Sequence, residues 1–203
     1  MNESEALELA GSARARLEQR HLLTRGLLSV RIPGREAMAL LAPEGAPRIL
    51  GFDEAAEPMA RLHAAAYRRR ADAGALLSAC PPWAAALAGL ARPMPPVFDE
   101  QVRHLGPSVL PLDGPSSLDA CRNAYFLAEG CLCIGTSRDR LVFNAELLEK
   151  CAQAYLLATL GGGRVRRIPL VVRLYARSRL RRDQRSAAAA LAAGRFAETA
   201  TAY

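Results

Sequence analysis

Two short stretches hold the residue types that could do chemistry in this chain. The first is "GALLSACPPWAAAL", residues 74 to 87, where an apolar run ends on Ser78, Ala79 and Cys80 just before a proline-led helix. Side chains at the end of a buried strand beside a helix start face the clefts in which α/β proteins bind ligands. The second is "AEGCLC", residues 128 to 133, with the carboxylate of Glu129 and the thiols of Cys131 and Cys133. A thiol and a carboxylate across one cleft could serve as nucleophile, acid or base. The structural alternatives are a small buried hydrophobe at Cys80 and an arginine partner for Glu129. Cys131 and Cys133 are spaced too tightly for a usual zinc pair, and strand alternation puts both on one face, as core packing requires. Histidine is scarce. His21 and His63 fall on helices and His104 in a loop or short helix, so they form no clustered set. A lone His63 on an apolar helix face reads as a hydrogen-bonded core residue. No G-x-G-x-x-G, Walker A, G-x-S-x-G or C-x-x-C pattern occurs.

The elements that must position these residues follow from periodicity and punctuation. Residues 4 to 22 place Ala6, Ala10, Ala13 and Leu17 at helical spacing, with acidic residues in the first turn. "GLLSVRI" (26–32) and "EAMALLA" (36–42) predict a hairpin turning through "PGR", with a short strand at 48–50 after it. A helix is predicted over 57–73, stopping at Gly74, and then the strand "ALLSA" and the helix "PPWAAALAGLA". Residues 93–107 read as a loop with one or two helical turns, 108–112 as a strand and "SSLDACRNA" (116–124) as a capped helix. Residues 125–137 predict two strands joined through Glu129-Gly130. A long helix then runs from an N-cap at Ser137 to a stop at Gly161, and 168–193 are helical in composition. Strands that mostly follow one another, with helices between them, predict a three-layer α/β/α sandwich on a mostly antiparallel central sheet.

Length and composition set the outer bounds. At 203 residues and 51% hydrophobic, the chain can bury one sizeable core but not two comfortable domains. Its longest apolar runs are too short and alanine-rich to cross a bilayer, so no membrane association is expected. The opening "MNESEALELAG" lacks the pattern of a secretory signal, so a cytoplasmic protein with five reduced cysteines is expected. The net charge of +7 is localised: Arg164 to Arg185 holds nine arginines against Asp183 alone. The organisation expected is therefore a domain over 1–163 and an Arg-rich, helical C-terminal tail over 164–203. With Tyr175 as the only aromatic among those arginines, base stacking is poorly supported, which argues against nucleic acid.

In order and separation, four stretches resemble the class II aldolase/adducin superfamily, which includes fuculose-phosphate aldolases and ribulose-phosphate epimerases. They are "LLTRGLLSVRIPG" (22–34), "LHAAAYRRRADAGALLSACPPWAAAL" (62–87), "MPPVFDEQVRHLG" (94–106) and "YFLAEGCLCIGTSRDRLVFNAELLEKCAQAYLLATLGGG" (125–163). The resemblance implies an α/β/α sandwich that assembles as a tetramer, with sites between subunits. It also implies a divalent metal on three histidines, with a glutamate for proton transfer. Two of those histidines correspond to Ser78 and Cys80, the third to Glu129, and the glutamate to Met59, four residues before His63. Methionine cannot take a proton, and a serine oxygen is a weak ligand. The family's phosphate-binding positions correspond to Gly26-Leu27, Glu44-Gly45 and Glu57-Pro58. Here leucine offers no donor and the two glutamates repel a phosphate dianion.

The expectation is a degenerate family member with no metal and no cofactor, a pseudoenzyme acting as scaffold or regulatory subunit. It would form a homo-oligomer, tetramer-like, or a hetero-oligomer with an active paralogue. The alternative is a lyase or decarboxylase acting on a non-phosphorylated carbonyl substrate through a site rebuilt around Cys80 and Glu129.

Overall fold

The computed structural model describes residues 2–162 and 164–197. Its centre is a seven-stranded sheet in the order β3-β2-β1-β4-β7-β6-β5. The strands are β1 (Leu27–Arg31), β2 (Ala37–Leu41), β3 (Arg48–Gly51), β4 (Ala75–Ala79), β5 (Leu110–Pro111), β6 (Ala124–Leu127) and β7 (Gly130–Gly135). All neighbours run antiparallel except β5, which lies parallel to β6. The expected sandwich is present, because side chains alternate between two separate apolar layers. Leu28, Val30, Leu77, Cys131 and Cys133 pack on one face, with α1 (Glu3–Gln19), α3 (Pro82–Gly89) and α5 (Arg138–Leu160). Leu27, Met38, Leu76, Leu132 and Ile134 pack on the other, with α2 (Pro58–Arg69).

Helix starts follow local chemistry. The Asn2 side chain accepts from the Glu5 amide while the Glu5 carboxylate accepts from the Asn2 amide, a closed capping box. Ser137 caps α5 through the Arg140 amide, and Gly161 ends that helix. No described helix is long and apolar enough to cross a membrane.

Two expectations fail for one physical reason. The helix predicted over 57–73 ends at Arg69, and the helix predicted over 116–124 is only a short 3-10 turn, Pro115–Ser117, followed by irregular chain. Between them lies Arg70, 1% exposed, whose guanidinium needs acceptors that a continuous helix could not supply. Its Nε and one Nη donate to the two Asp72 carboxylate oxygens at 2.8 Å each. The other donors reach the carbonyls of Asp119 (2.9 Å) and Arg122 (2.6 Å) and the side chain of Asn123 (2.7 Å). The Asp119 carboxylate also accepts from the Cys121 amide, a local bond that competes with helix formation. The strand expected over 108–112 is likewise reduced to two residues, with Val109 bridging back to Met94.

The Arg-rich segment forms α6 (Leu170–Ala192), and its second half docks on the body. Leu180, Ala187 and Leu191 are buried, Gln184 donates to Asn123 at 3.1 Å, and Asp183 pairs with Arg103 of α4 (Asp99–His104). The first half is exposed, with Leu170, Val171, Leu174 and Tyr175 facing outward. The segment 198–203 lies outside the described residues.

Because Arg70 is fully buried and fully hydrogen-bonded, removing it strands the Asp72 carboxylate. Arg70→Ala should destabilise the fold by about 3–5 kcal/mol in chemical denaturation. A loss below about 1 kcal/mol would show that the cluster does not tie the 105–123 segment to α2.

Candidate functional site

Antiparallel pairing brings the start of β1, the end of β4 and the β6–β7 turn to one end of the sheet: Leu27 lies opposite Ser78, and Ala79 opposite Cys131. A cavity of about 370 Å³ opens there, lined by Arg25, Leu27, Met59, Ser78, Cys80 and Glu129 among others. Five of the sequence-predicted positions, Leu27, Met59, Ser78, Cys80 and Glu129, therefore meet in one place. Glu44, Gly45, Glu57 and Pro58 do not line this cavity. Gly45 turns the β2–β3 loop at φ +99°, Pro58 begins α2, and the Glu57 carboxylate is paired with Arg48 at 3.0 Å.

The cavity floor is set by a buried polar network. His63 of α2 is fully buried, with Nδ1 at 2.8 Å from the Ser29 hydroxyl and Nε2 at 2.8 Å from the Ser78 hydroxyl. The Tyr67 hydroxyl lies 2.9 Å from the Ser29 hydroxyl and donates to the Ser29 carbonyl at 3.1 Å. Every side-chain oxygen and nitrogen of these four residues has a partner, as burial demands. Burial lowers the His63 pKa to about 3, so the ring is neutral and each nitrogen plays one role, donor or acceptor.

Cys80 is partly exposed, and its thiol donates to the backbone carbonyl of Glu129, not to its carboxylate. Burial pushes the thiol pKa up, the neighbouring Cys131 thiol and Glu129 carboxylate push it further, and Arg25 opposes them. The turn is tight: a Cβ on Gly130 would sit 2.2 Å from the Ala79 carbonyl oxygen, so only glycine lets β7 approach β4 there. The Glu129 side chain is exposed at the rim. Cys131 and Cys133 are buried in the core on one face.

These donors do not fit a divalent metal. The Ser78 hydroxyl, a weak ligand, is held by His63, the Cys80 thiol is turned to the Glu129 backbone carbonyl, and Met59 is apolar where the resemblance puts a base. Among the described residues, no three His, Cys, Asp or Glu side chains are grouped so as to hold a metal ion.

Sequence reasoning missed Ser29, Tyr67 and Arg25. Ser29 is the one uncharged polar residue in the strand "LLSVR", a signal that could have marked a buried hydrogen bond. Arg25 gave no local signal: it lies in the turn before β1 with φ 51°.

A mostly antiparallel α/β/α sandwich is the architecture that the four sequence stretches implied. The chain belongs to the class II aldolase/adducin family, since the class II aldolase and adducin N-terminal domain matches residues 19–156. The fold is similar to that of an L-fuculose 1-phosphate aldolase at 20% identity, covering 88% of this chain and 97% of that one with a TM-score of 0.72. It is similar to YgbL from Klebsiella pneumoniae at 20% identity, covering 87% and 99%, with a TM-score of 0.70. The L-fuculose-1-phosphate aldolase from Thermus thermophilus is similar at 19% identity, covering 82% and 100%, with a TM-score of 0.59. No curated protein matches the sequence significantly.

The buried histidine fixes a pH dependence. His63 has a folded pKa of about 3 against an ordinary 6.5, so its contribution to stability is complete above pH 6.5 and is lost as pH falls toward 3. His104, lowered to about 4 chiefly by burial, acts in the same direction. His63→Gln should lose stability less steeply on acidification, by up to about 1.4 kcal/mol per pH unit relative to the parent. Urea denaturation across about pH 7 to pH 4 measures this, and parallel curves would contradict it.

Proposed function

We propose that this family member has given up metal-dependent aldol chemistry and serves as a scaffold or regulatory subunit, assembled with further copies of itself or with an active paralogue. The observation that carries this reading is the cavity end of β4, where Ser78 and Cys80 are engaged within the fold and Met59 offers no base. An enediolate formed beside a carbonyl needs a Lewis acid at its oxygen and a base at its carbon. The raised thiol pKa of Cys80, and a hydrogen bond that goes to the Glu129 backbone and not to its carboxylate, favour this reading over a lyase built on those two residues.

Assembly is supported by unpartnered surface. Leu157 and Leu160 at the end of α5, and Leu170, Val171, Leu174 and Tyr175 at the start of α6, are all more than half exposed. Beside them, Val97, Phe98, Tyr155 and Val165 line an open groove of about 470 Å³. The Nε atoms of Arg173 and Arg177 are shielded from solvent yet have no acceptor among the described residues. Exposed apolar groups rimmed by arginine, with shielded donors lacking acceptors, are what a protein interface leaves when one copy is viewed alone. Arg179 lies over the Tyr175 ring, 5.9 Å from its centroid, which leaves that aromatic poorly placed to stack on a base.

Light scattering should give a mass that is a multiple of 21.8 kDa, insensitive to salt, and Val171→Asp with Leu174→Asp should release monomer. The protein should not cleave L-fuculose 1-phosphate, the substrate that two of these structural relatives are named for, with or without added zinc. A monomeric parent, or zinc-dependent cleavage lost in Cys80→Ala, would overturn the proposal.

A further inference from the structure

The cavity at the end of the sheet contains two charged side chains that the fold itself does not use. Arg25 and Glu129 both line it, and neither side chain forms an ion pair with any described residue, nor with the other. Glu129 enters the hydrogen bonding of the site only through its backbone carbonyl. Glu57, by contrast, is paired with Arg48, and Asp53 with Arg68. Arg25 is also held in the left-handed backbone region at φ 51°, an uncommon conformation for a non-glycine residue and one found at ligand-contact positions.

The remaining lining narrows the ligand. Leu27, Met59, Ala79 and Leu127 make the walls apolar, while the Ser78 hydroxyl and the Cys80 thiol already have partners. A sugar therefore finds few free hydrogen-bonding groups. A phosphate dianion gains Arg25 but is repelled by Glu129. A simple acid or a simple amine engages one of the two charges and leaves the other to solvent, so it gains only one of the two contacts on offer. A molecule with both charges on a small head and an apolar tail satisfies every group.

We infer that this cavity binds a free apolar α-amino acid as its zwitterion, with the carboxylate on Arg25, the ammonium on Glu129 and the side chain among Leu27, Met59 and Leu127. At about 370 Å³ the cavity is at the small end of the range for ligand pockets, suited to one such molecule. Both charges are already felt at the Cys80 thiol between them, Glu129 raising its pKa and Arg25 lowering it. The inference supplies a ligand for the regulatory subunit proposed above, and its test reads binding and not assembly.

Calorimetric titration of the full chain tests it with L-leucine, L-methionine and L-phenylalanine as probes, and with 4-methylpentanoate and 3-methylbutylamine as analogues of leucine lacking one charge. At least one amino acid should bind once per chain, and L-leucine should bind about tenfold or more tightly than either analogue. Arg25→Gln and Glu129→Gln should each weaken the amino acid by a similar factor. Glu129→Gln should also narrow the gap between L-leucine and 4-methylpentanoate, because the ammonium is then no longer recognised. Both substituted side chains are exposed, so unchanged unfolding midpoints without ligand confirm that the variants fold. Saturable binding by none of the three amino acids up to about 10 mM, or 4-methylpentanoate binding as well as L-leucine, would overturn the inference.

Discussion

The character of this site rests on one buried, neutral imidazole. His63 sits under the sheet and joins α2 to two central strands, one ring nitrogen on Ser29 of β1 and the other on Ser78 of β4. A neutral histidine can donate once and accept once, so both serine hydroxyls are ordered by it, and Tyr67 closes the network from the same helix. The arrangement is stable only while the ring stays uncharged. It also decides the chemistry above it: a Ser78 hydroxyl held from below by His63 is a structural partner and a poor metal ligand. The residue that would receive a metal in the resemblance is thus part of the floor of an apolar cavity.

A second buried polar cluster does the corresponding work on the far side of α2. Arg70 leaves the helix to engage Asp72, two backbone carbonyls and Asn123, and Asn123 in turn accepts from Gln184 of α6. Through it the 105–123 segment and the second half of α6 are tied to the sandwich. The first half of α6 receives no such anchor and presents its apolar residues and arginines outward. The two halves of the helix therefore divide the work, one holding the tail on the body and the other available to a neighbour.

Much of this was legible in the sequence, for reasons that differ from residue to residue. Short apolar runs and glycine-bearing turns marked β1, β2, β6 and β7, and the N-cap Ser137 and stop Gly161 marked α5. The gathering of Leu27, Met59, Ser78, Cys80 and Glu129 at one cavity followed from the family resemblance and not from spacing, since these residues come from separate strands, a helix and turns. The failures trace to partners distant in sequence. "SSLDACRNA" has the composition of a capped helix, but its carbonyls are drawn to an arginine about fifty positions earlier. Ser29 is 34 residues from His63, and no local pattern announces a bond of that separation. Arg25 is an ordinary exposed arginine until the fold sets it on the cavity wall beside an acid it does not touch.

The central claim is that the donors at this cavity are engaged by the protein itself and do not bind a divalent metal. Elemental analysis of the protein purified without chelators, as metal per subunit, tests it most directly. The account predicts zinc, manganese and iron far below one per chain in a folded protein. Near-stoichiometric metal that is lost when Cys80 and Glu129 are replaced would contradict it, and would return this cavity to metal-dependent catalysis.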